Sequence, residues 1–513
     1  MILGTRTKYG QVEGVATETK GVALFRGIPY ARPPVGKYRW REPEPPDAWE
    51  GVRKCEFYGP ACIQPEREKE DFYRKEFYQH RFHRYPPLWG EDCLYLNIWT
   101  PAETRDDGLP VMIWIHGGGY RQGYSHEPRT NGEAMARSGI VVVSVNYRLN
   151  IFGFFAHPAL SKEQKGHSGN YGILDQAAAL KWVRENIREF GGDPDNITVA
   201  GQSAGSFSAQ AMAVIPQTRG MIRRVILQSG VITPTEEYGW LYRPQREAEE
   251  NGMHFMEYAK KRSLPELRAM TAEELMRIYL DYTSKGNPDF NSCCQDGYVF
   301  DKSPGHSFMA GQTHIEAMIA GATSRETMIM PRISGVTKEN YRQMAETYLP
   351  GCEFDLLAKT EVADDKEADS RLNSWFAWYM NGGSLALCEY MASSPGKKAY
   401  SYSFCRDVPG KDNPGPFHSA CIWYAFGNLH NCKRPFKEED FYLEQVMNQY
   451  WIQFIKTGDP NRDGLPLWKE YTPKEPMSMM LDGENFLMRQ LTKRDPELML
   501  LFTCGCSNRL MPL

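Results

Sequence analysis

Ser203 sits at the centre of Gly201-Gln202-Ser203-Ala204-Gly205, and this pentapeptide directly follows the apolar run Ile197 to Ala200. A strand that passes straight into Gly-x-Ser-x-Gly predicts a sharp strand-to-helix turn with the serine at its tip. Glycines flank the serine because such a turn brings backbone too close for a Cβ. The small residues Ala204, Ser206, Ser208 and Ala209 begin the helix that must follow. A serine hydroxyl is a weak nucleophile until a base takes its proton, so the pattern calls for a histidine and an orienting acid elsewhere.

A second pattern fits the same chemistry. His116-Gly117-Gly118-Gly119 follows the apolar run Val111 to Ile115. Glycines after a strand leave backbone N–H groups bare, and such donors stabilise the oxyanion of a tetrahedral intermediate. Gly118 and Gly119, with the N–H of Ala204 just beyond the serine, make a three-donor oxyanion hole. The same glycines do not form G-x-G-x-x-G or G-x-x-x-x-G-K-[ST], so a phosphate cradle is not indicated.

Among eleven histidines, His418 is the candidate base. It lies in Gly415-Pro416-Phe417-His418-Ser419-Ala420, after a late strand over Ala399 to Phe404. If the usual chain order for a serine at such an elbow holds, the acid falls between serine and histidine. Glu326, just beyond the apolar run Ala317 to Ala322, is the leading candidate, with Glu316 and Asp301 as nearby alternatives.

Composition narrows the class. The chain has 513 residues, 41% hydrophobic and 24% charged, with net charge −4; its pI is near 6.3 and its mean hydropathy −0.55. No long basic run is present, so a nucleic-acid partner is not expected. No apolar stretch approaches twenty residues, so no membrane span is expected. The N-terminus lacks a basic stretch followed by an apolar one, which places the chain in the cytoplasm unless a signal was removed. Twelve cysteines without C-x-x-C spacing read as scattered thiols rather than a disulfide framework or zinc site. Asn196-Ile197-Thr198 is a formal glycosylation sequon, but it runs into the strand before Ser203 and carries little weight. No metal and no organic cofactor is expected, and the chain is expected to be a monomer.

These residues must be positioned by a sheet. Leu94 to Thr100, Val111 to Ile115, Ile140 to Val145, Ile197 to Ala200, Val225 to Gln228 and Ala399 to Phe404 have strand character. Leu174 to Phe190 predicts an amphipathic helix with Leu180, Val183 and Ile187 on one stripe, ended by Gly191-Gly192. Asp440 to Lys456 predicts a long helix. Strands alternating with helices predict an α/β fold: a large mixed central sheet flanked by helices. Arg243 to Met270, Thr271 to Tyr282 and Lys338 to Lys397 predict helices of a cap, so residues 1–513 read as one domain with a helical cap within 243–397. The charged, aromatic segment from Cys62 to Trp89 predicts a partly helical surface loop. Its rings (Phe72, Tyr73, Phe77, Tyr78, Phe82, Tyr85), with Tyr120, Tyr124 and Trp240, are expected either to line an apolar gorge or to pack the loop.

Several longer motifs make the pattern specific. Phe25 to Gly36 (F-R-G-I-P-Y-A-R-P-P-V-G), Glu91 to Pro101 (E-D-C-L-Y-L-N-I-W-T-P), Gly169 to Val183, Phe190 to Pro194 and Trp451 to Asn461 occur in the order found in type-B carboxylesterases. The chain resembles that α/β-hydrolase family, in its para-nitrobenzyl-esterase-like form, over nearly its whole length. The resemblance implies Ser203 as nucleophile, Glu326 as acid, His418 as base, and Gly118, Gly119 and Ala204 as oxyanion donors. It also implies a buried Arg148–Asp175 ion pair and a disulfide between Cys62 and Cys93, which a reducing cytoplasm would leave as thiols.

This chain departs from the family pattern at Gln202, where most members carry glutamate, and at Cys421, where a second glutamate is usual. Glu326 sits in R-E-T rather than D-E-G, and no tryptophan stands at the family's choline-stacking position, although Trp89 is close. Together these argue against cholinesterase activity. The implied activity is hydrolysis of small carboxylic esters through an acyl-enzyme, with aryl or short to medium acyl groups. A feruloyl-type esterase or amidase with the same triad is the alternative. A non-catalytic, neuroligin-like binding module is disfavoured by the intact Ser203, Glu326 and His418.

Overall fold

The computed structural model describes the chain except residues 69, 78–86, 233–241, 330–331, 349–360, 484 and 492–513. An eleven-stranded sheet forms its centre. In chain order its strands are β1 (Val15–Ala16), β2 (Ala23–Pro29), β3 (Tyr95–Thr100), β4 (Leu109–Ile115), β5 (Val141–Val145), β6 (Gly192–Gln202), β7 (Arg224–Gln228), β8 (Ala317–Thr323), β9 (Lys398–Phe404), β10 (Met477–Asp482) and β11 (Asn485–Gln490). Their order across the sheet is β1-β2-β3-β5-β4-β6-β7-β8-β9-β10-β11. From β5 to β10 every neighbouring pair is parallel. The pairs at both edges, β1-β2-β3-β5 and β10-β11, are antiparallel.

The parallel strands are apolar and buried through their centres because helices cover both faces. Val141–Val145 and Ala317–Thr323 are buried at every residue. Each such valine contributes about 1.5–3 kcal/mol relative to an exposed one. The helices that matter here are α1 (Tyr171–Asn186), α2 (Ala204–Met212), α3 (Gln245–Tyr258), α4 (Ala272–Ser284), α5 (Trp375–Ala392), α6 (Cys421–Phe426) and α7 (Glu438–Thr457). No helix among the described residues is long and apolar enough to cross a membrane.

The structure differs from the sequence reading in three places. The helix expected over Leu174 to Phe190 starts earlier, at Tyr171, and its last turn is a 3-10 segment, Ile187–Phe190, ended by Gly191 at φ 77°. It is not a one-sided amphipath: Asp175, Gln176 and Trp182 are buried along with its apolar stripe. Arg148 satisfies Asp175 there, while the Gln176 amide and the Trp182 indole N–H are buried without a hydrogen-bond partner among the described residues, so hydropathy periodicity understates its burial. Arg243, expected in a helix, lies in a two-stranded ribbon, Tyr242–Pro244 with Cys293–Gln295. Finally, α5, within the segment expected to cap the sheet, packs directly on β8 and β9.

Asp175 explains part of that burial. Arg148 donates to it from Nε at 2.8 Å, from Nη2 at 2.7 Å and from its backbone N–H at 3.0 Å. Both side chains are withdrawn from solvent, and the guanidinium lies over the Tyr171 ring. Removing one partner strands a buried charge. Arg148→Met is therefore expected to destabilise the protein by about 3–5 kcal/mol. The double variant Arg148→Met/Asp175→Leu is expected to lose less. Thermal and denaturant unfolding check this, and equal losses in the two variants would contradict it.

Candidate active site

The elbow forms as the pentapeptide requires. β6 ends at Gln202, α2 begins at Ala204, and Ser203 between them has φ 56° and ψ −127°. A non-glycine residue held there stores about 1–3 kcal/mol of strain. The flanking glycines are steric necessities: a Cβ on Gly201 would lie 2.1 Å from the Gly205 carbonyl oxygen, and one on Gly205 would lie 2.0 Å from that of Ile115. The N–H of Ser203 donates to the Gln228 carbonyl at 2.9 Å, which ties the elbow to β7.

The glycine turn after β4 faces the elbow. Gly118, Gly119 and Ser203 line one cavity of 370 Å³. The N–H groups of Gly118, Gly119 and Ala204 have no acceptor among the described residues. Beneath the turn, His116 stacks on Tyr147 with ring centroids 4.4 Å apart, and burial pulls its pKa below the ordinary value.

Two loops bring Glu326 and His418 together. Glu326, at φ 45° just past β8, is pinned by reciprocal bonds. The Thr323 N–H donates to its Oε1 at 2.8 Å, and the Glu326 N–H donates to Thr323 Oγ1 at 3.0 Å. The loop after β9 is fastened alongside: Thr327 bridges Phe417, and the His418 N–H donates to the Thr327 carbonyl at 2.9 Å. His418 Nδ1 then donates directly to Glu326 Oε2. Both residues are buried. The other carboxylates considered lie elsewhere: Glu316 pairs with Arg223 at the surface, and Asp301 is exposed.

His418 lines the same cavity as Ser203. Its Nε2 is 3.0 Å from the side-chain Nε2 of Gln202. Because Nδ1 carries its proton toward Glu326, Nε2 presents a lone pair, and the amide NH2 of Gln202 donates to it. The Ser203 hydroxyl is not bonded to the imidazole in this arrangement.

Sequence reasoning missed this contact and several others. Tyr73 donates from its hydroxyl to the His418 carbonyl at 3.1 Å. Arg129 donates to Ser419 Oγ at 2.7 Å while its Nε pairs with buried Glu127 at 2.9 Å. None of these partners stands at a fixed spacing from the residue it touches, so no linear pattern marks them. Cys421, at the position of the family's second glutamate, receives a hydrogen bond from Gln228 at 3.3 Å, and burial pushes its thiol up to about 12.

Of the rings expected either to line a gorge or to pack the loop, Tyr73 lines the cavity. Tyr120 is buried against Phe154 and bonds Ser208. Tyr124 faces Trp89 in a neighbouring smaller pocket, and Phe72 packs on Phe417. Tyr78, Phe82, Tyr85 and Trp240 lie outside the described residues. Phe207, Met328, Ile329, Phe376 and Met380 give the cavity an apolar lining, and Arg67, Asp71 and Arg121 also line it.

Cys62 and Cys93 are both buried free thiols in this structure. They lie against each other, and the hydrogen bond to Cys62 together with burial holds the Cys93 thiol well above its ordinary value. Among the described residues no three His, Cys, Asp or Glu side chains are grouped to hold a metal ion.

A parallel-centred sheet with a serine elbow, a glycine turn and a His–Glu pair at the carboxyl ends of its strands defines an α/β-hydrolase. Comparison with known proteins makes this specific: residues 4–499 match the model of the carboxylesterase family, and the chain belongs to that family. It is a carboxylic-ester hydrolase. It is similar to the para-nitrobenzyl esterase of Bacillus subtilis, at 33% identity covering 93% of this chain and 94% of that one. It is equally similar, at 33% identity, to the fumonisin B1 esterase of Sphingopyxis macrogoltabida, covering 91% and 84% of the two chains. A solved carboxylesterase EST55 of Geobacillus stearothermophilus superposes with TM-score 0.80 at 30% identity over 96% of this chain and 99% of that chain.

Proposed function

We propose that Ser203 is the nucleophile, His418 the general base and Glu326 the acid that orients it, with Gly118, Gly119 and Ala204 as oxyanion donors. His418 takes the Ser203 proton at Nε2 as the serine attacks the ester carbonyl. The oxyanion is held by the three N–H groups, each such donor being worth on the order of 10²–10³ in turnover. His418 then protonates the leaving alcohol, and water repeats the cycle on the acyl-enzyme. Glu326 fixes the tautomer and stabilises the imidazolium.

The observation that carries this reading is the buried bond from His418 Nδ1 to Glu326, in a cavity that His418 shares with the elbow serine. The apolar wall supports aryl or short to medium acyl esters as substrates. We further read residues 1–513 as one α/β unit whose helical segments within 243–397 help to wall the site, acting as a monomer in the cytoplasm. An organophosphonate is expected to label one serine per chain and to label none in Ser203→Ala. Undiminished labelling of that variant, read by mass spectrometry, would place the nucleophile elsewhere.

A further inference from the structure

Gln202 is the residue of the elbow at which this chain departs from the family's glutamate, and its side chain touches the imidazole. Its backbone has little freedom, being the last residue of β6, opposite Gln228 of β7 and next to the strained Ser203. Its side chain is buried, and its amide reaches His418 Nε2 at 3.0 Å. The lone pair it occupies is the one that must receive the serine proton. An amide NH2 donates to a lone pair, whereas an ionised carboxylate accepts only and favours the protonated ring.

We infer that Gln202 is a positioning residue that holds His418 as the neutral, Nδ1-protonated imidazole in the resting enzyme and yields Nε2 to the Ser203 hydroxyl before attack. The inference rests on the reading of His418 as the base. The titratable and charged groups around the pair are Glu326 on Nδ1, the Arg129–Glu127 pair reaching in through Ser419, and Arg67, Asp71 and Arg121 on the cavity wall. His116 under the glycine turn, the Tyr73 hydroxyl and the Cys421 thiol complete the set. All of these stay the same when only position 202 is changed, so a change in pH dependence belongs to the residue there.

The test compares kcat/KM against pH for the wild type, Gln202→Glu and Gln202→Met, with active sites counted by phosphonate titration. A misfolded fraction lowers the titrated amplitude but does not move the acid limb. Gln202→Glu is expected to move the acid limb to higher pH by about one unit, a tenfold loss below the limb. Gln202→Met removes the donor without adding charge, and is expected to move it by about half a unit in the same direction. Limbs that coincide with the wild type in both variants overturn the inference.

A measurement on the unaltered sequence stands beside these. In protein labelled with ¹⁵N-histidine, the His418 signal, assigned by its loss in His418→Gln, is expected at pH 8 to be that of a neutral ring with Nε2 as a hydrogen-bonded acceptor. A protonated Nε2 at that pH overturns the inference. The two readings fail separately. Loss of hydrolysis in Ser203→Ala with unmoved limbs at position 202 keeps the triad and removes the role of Gln202, whereas retained hydrolysis in Ser203→Ala removes the triad itself.

Discussion

Ser203→Ala is expected to lower kcat for p-nitrophenyl butyrate by on the order of 10⁴–10⁶ while leaving the fold intact. The substitution keeps the Cβ, so the elbow at φ 56° carries no strain that serine did not already carry. The proposed oxyanion donors also remain, because Gly118, Gly119 and Ala204 contribute backbone N–H groups only. Such a site still binds ester and polarises its carbonyl, which leaves a residual rate above water. KM is therefore expected to change little, and the loss to fall on kcat. Hydrolysis at a near-wild-type rate would exclude Ser203 as the nucleophile.

Glu326→Gln is expected to lower kcat by on the order of 10⁴, through the tautomer of His418 rather than through loss of contact. Both carboxylate oxygens are committed as acceptors: Oε1 to the Thr323 N–H at 2.8 Å and Oε2 to His418 Nδ1. An amide offers one acceptor oxygen. The rigid backbone N–H of Thr323 claims it, and the NH2 then faces Nδ1. A neutral imidazole can meet that donor only by moving its proton to Nε2, where it can no longer accept from serine. The imidazolium of the transition state also loses its counter-charge. The effect is expected on the rate of phosphonate labelling as well as on ester turnover, and a change of less than tenfold in both would remove Glu326 from the mechanism.

The linear order of residues determined a good deal. Gly201-Gln202-Ser203-Ala204-Gly205 after an apolar run suffices to place a serine at a strand-to-helix turn, because Gly201 answers a local steric demand: a Cβ there would lie 2.1 Å from Gly205 of the same turn, whereas Gly205 makes room for Ile115 of the adjacent strand. The buried strands were legible for a similar reason, since Val141–Val145 is apolar at all but one position and both faces of a parallel sheet need such residues. His116 to Gly119 was likewise readable as bare backbone after a strand.

Tertiary structure decided the rest. By spacing alone Glu326 was one of three carboxylates, and although the family resemblance singled it out, its contact with His418 exists because Thr327 and Phe417 bridge their loops. Helix α1 looked amphipathic until Arg148, from a distant loop, neutralised Asp175 inside the core. The sequence left the rings free to line a gorge or to pack the loop; Tyr73 lines the cavity, Tyr120 and Tyr124 pack elsewhere, and α5 supplies Phe376 and Met380 to the cavity wall. The contact of Gln202 with His418 joins residues 216 apart in the chain. Local sequence encodes what neighbouring atoms forbid or permit. Which charge meets which proton depends on distances between segments that only the closed sheet brings within reach.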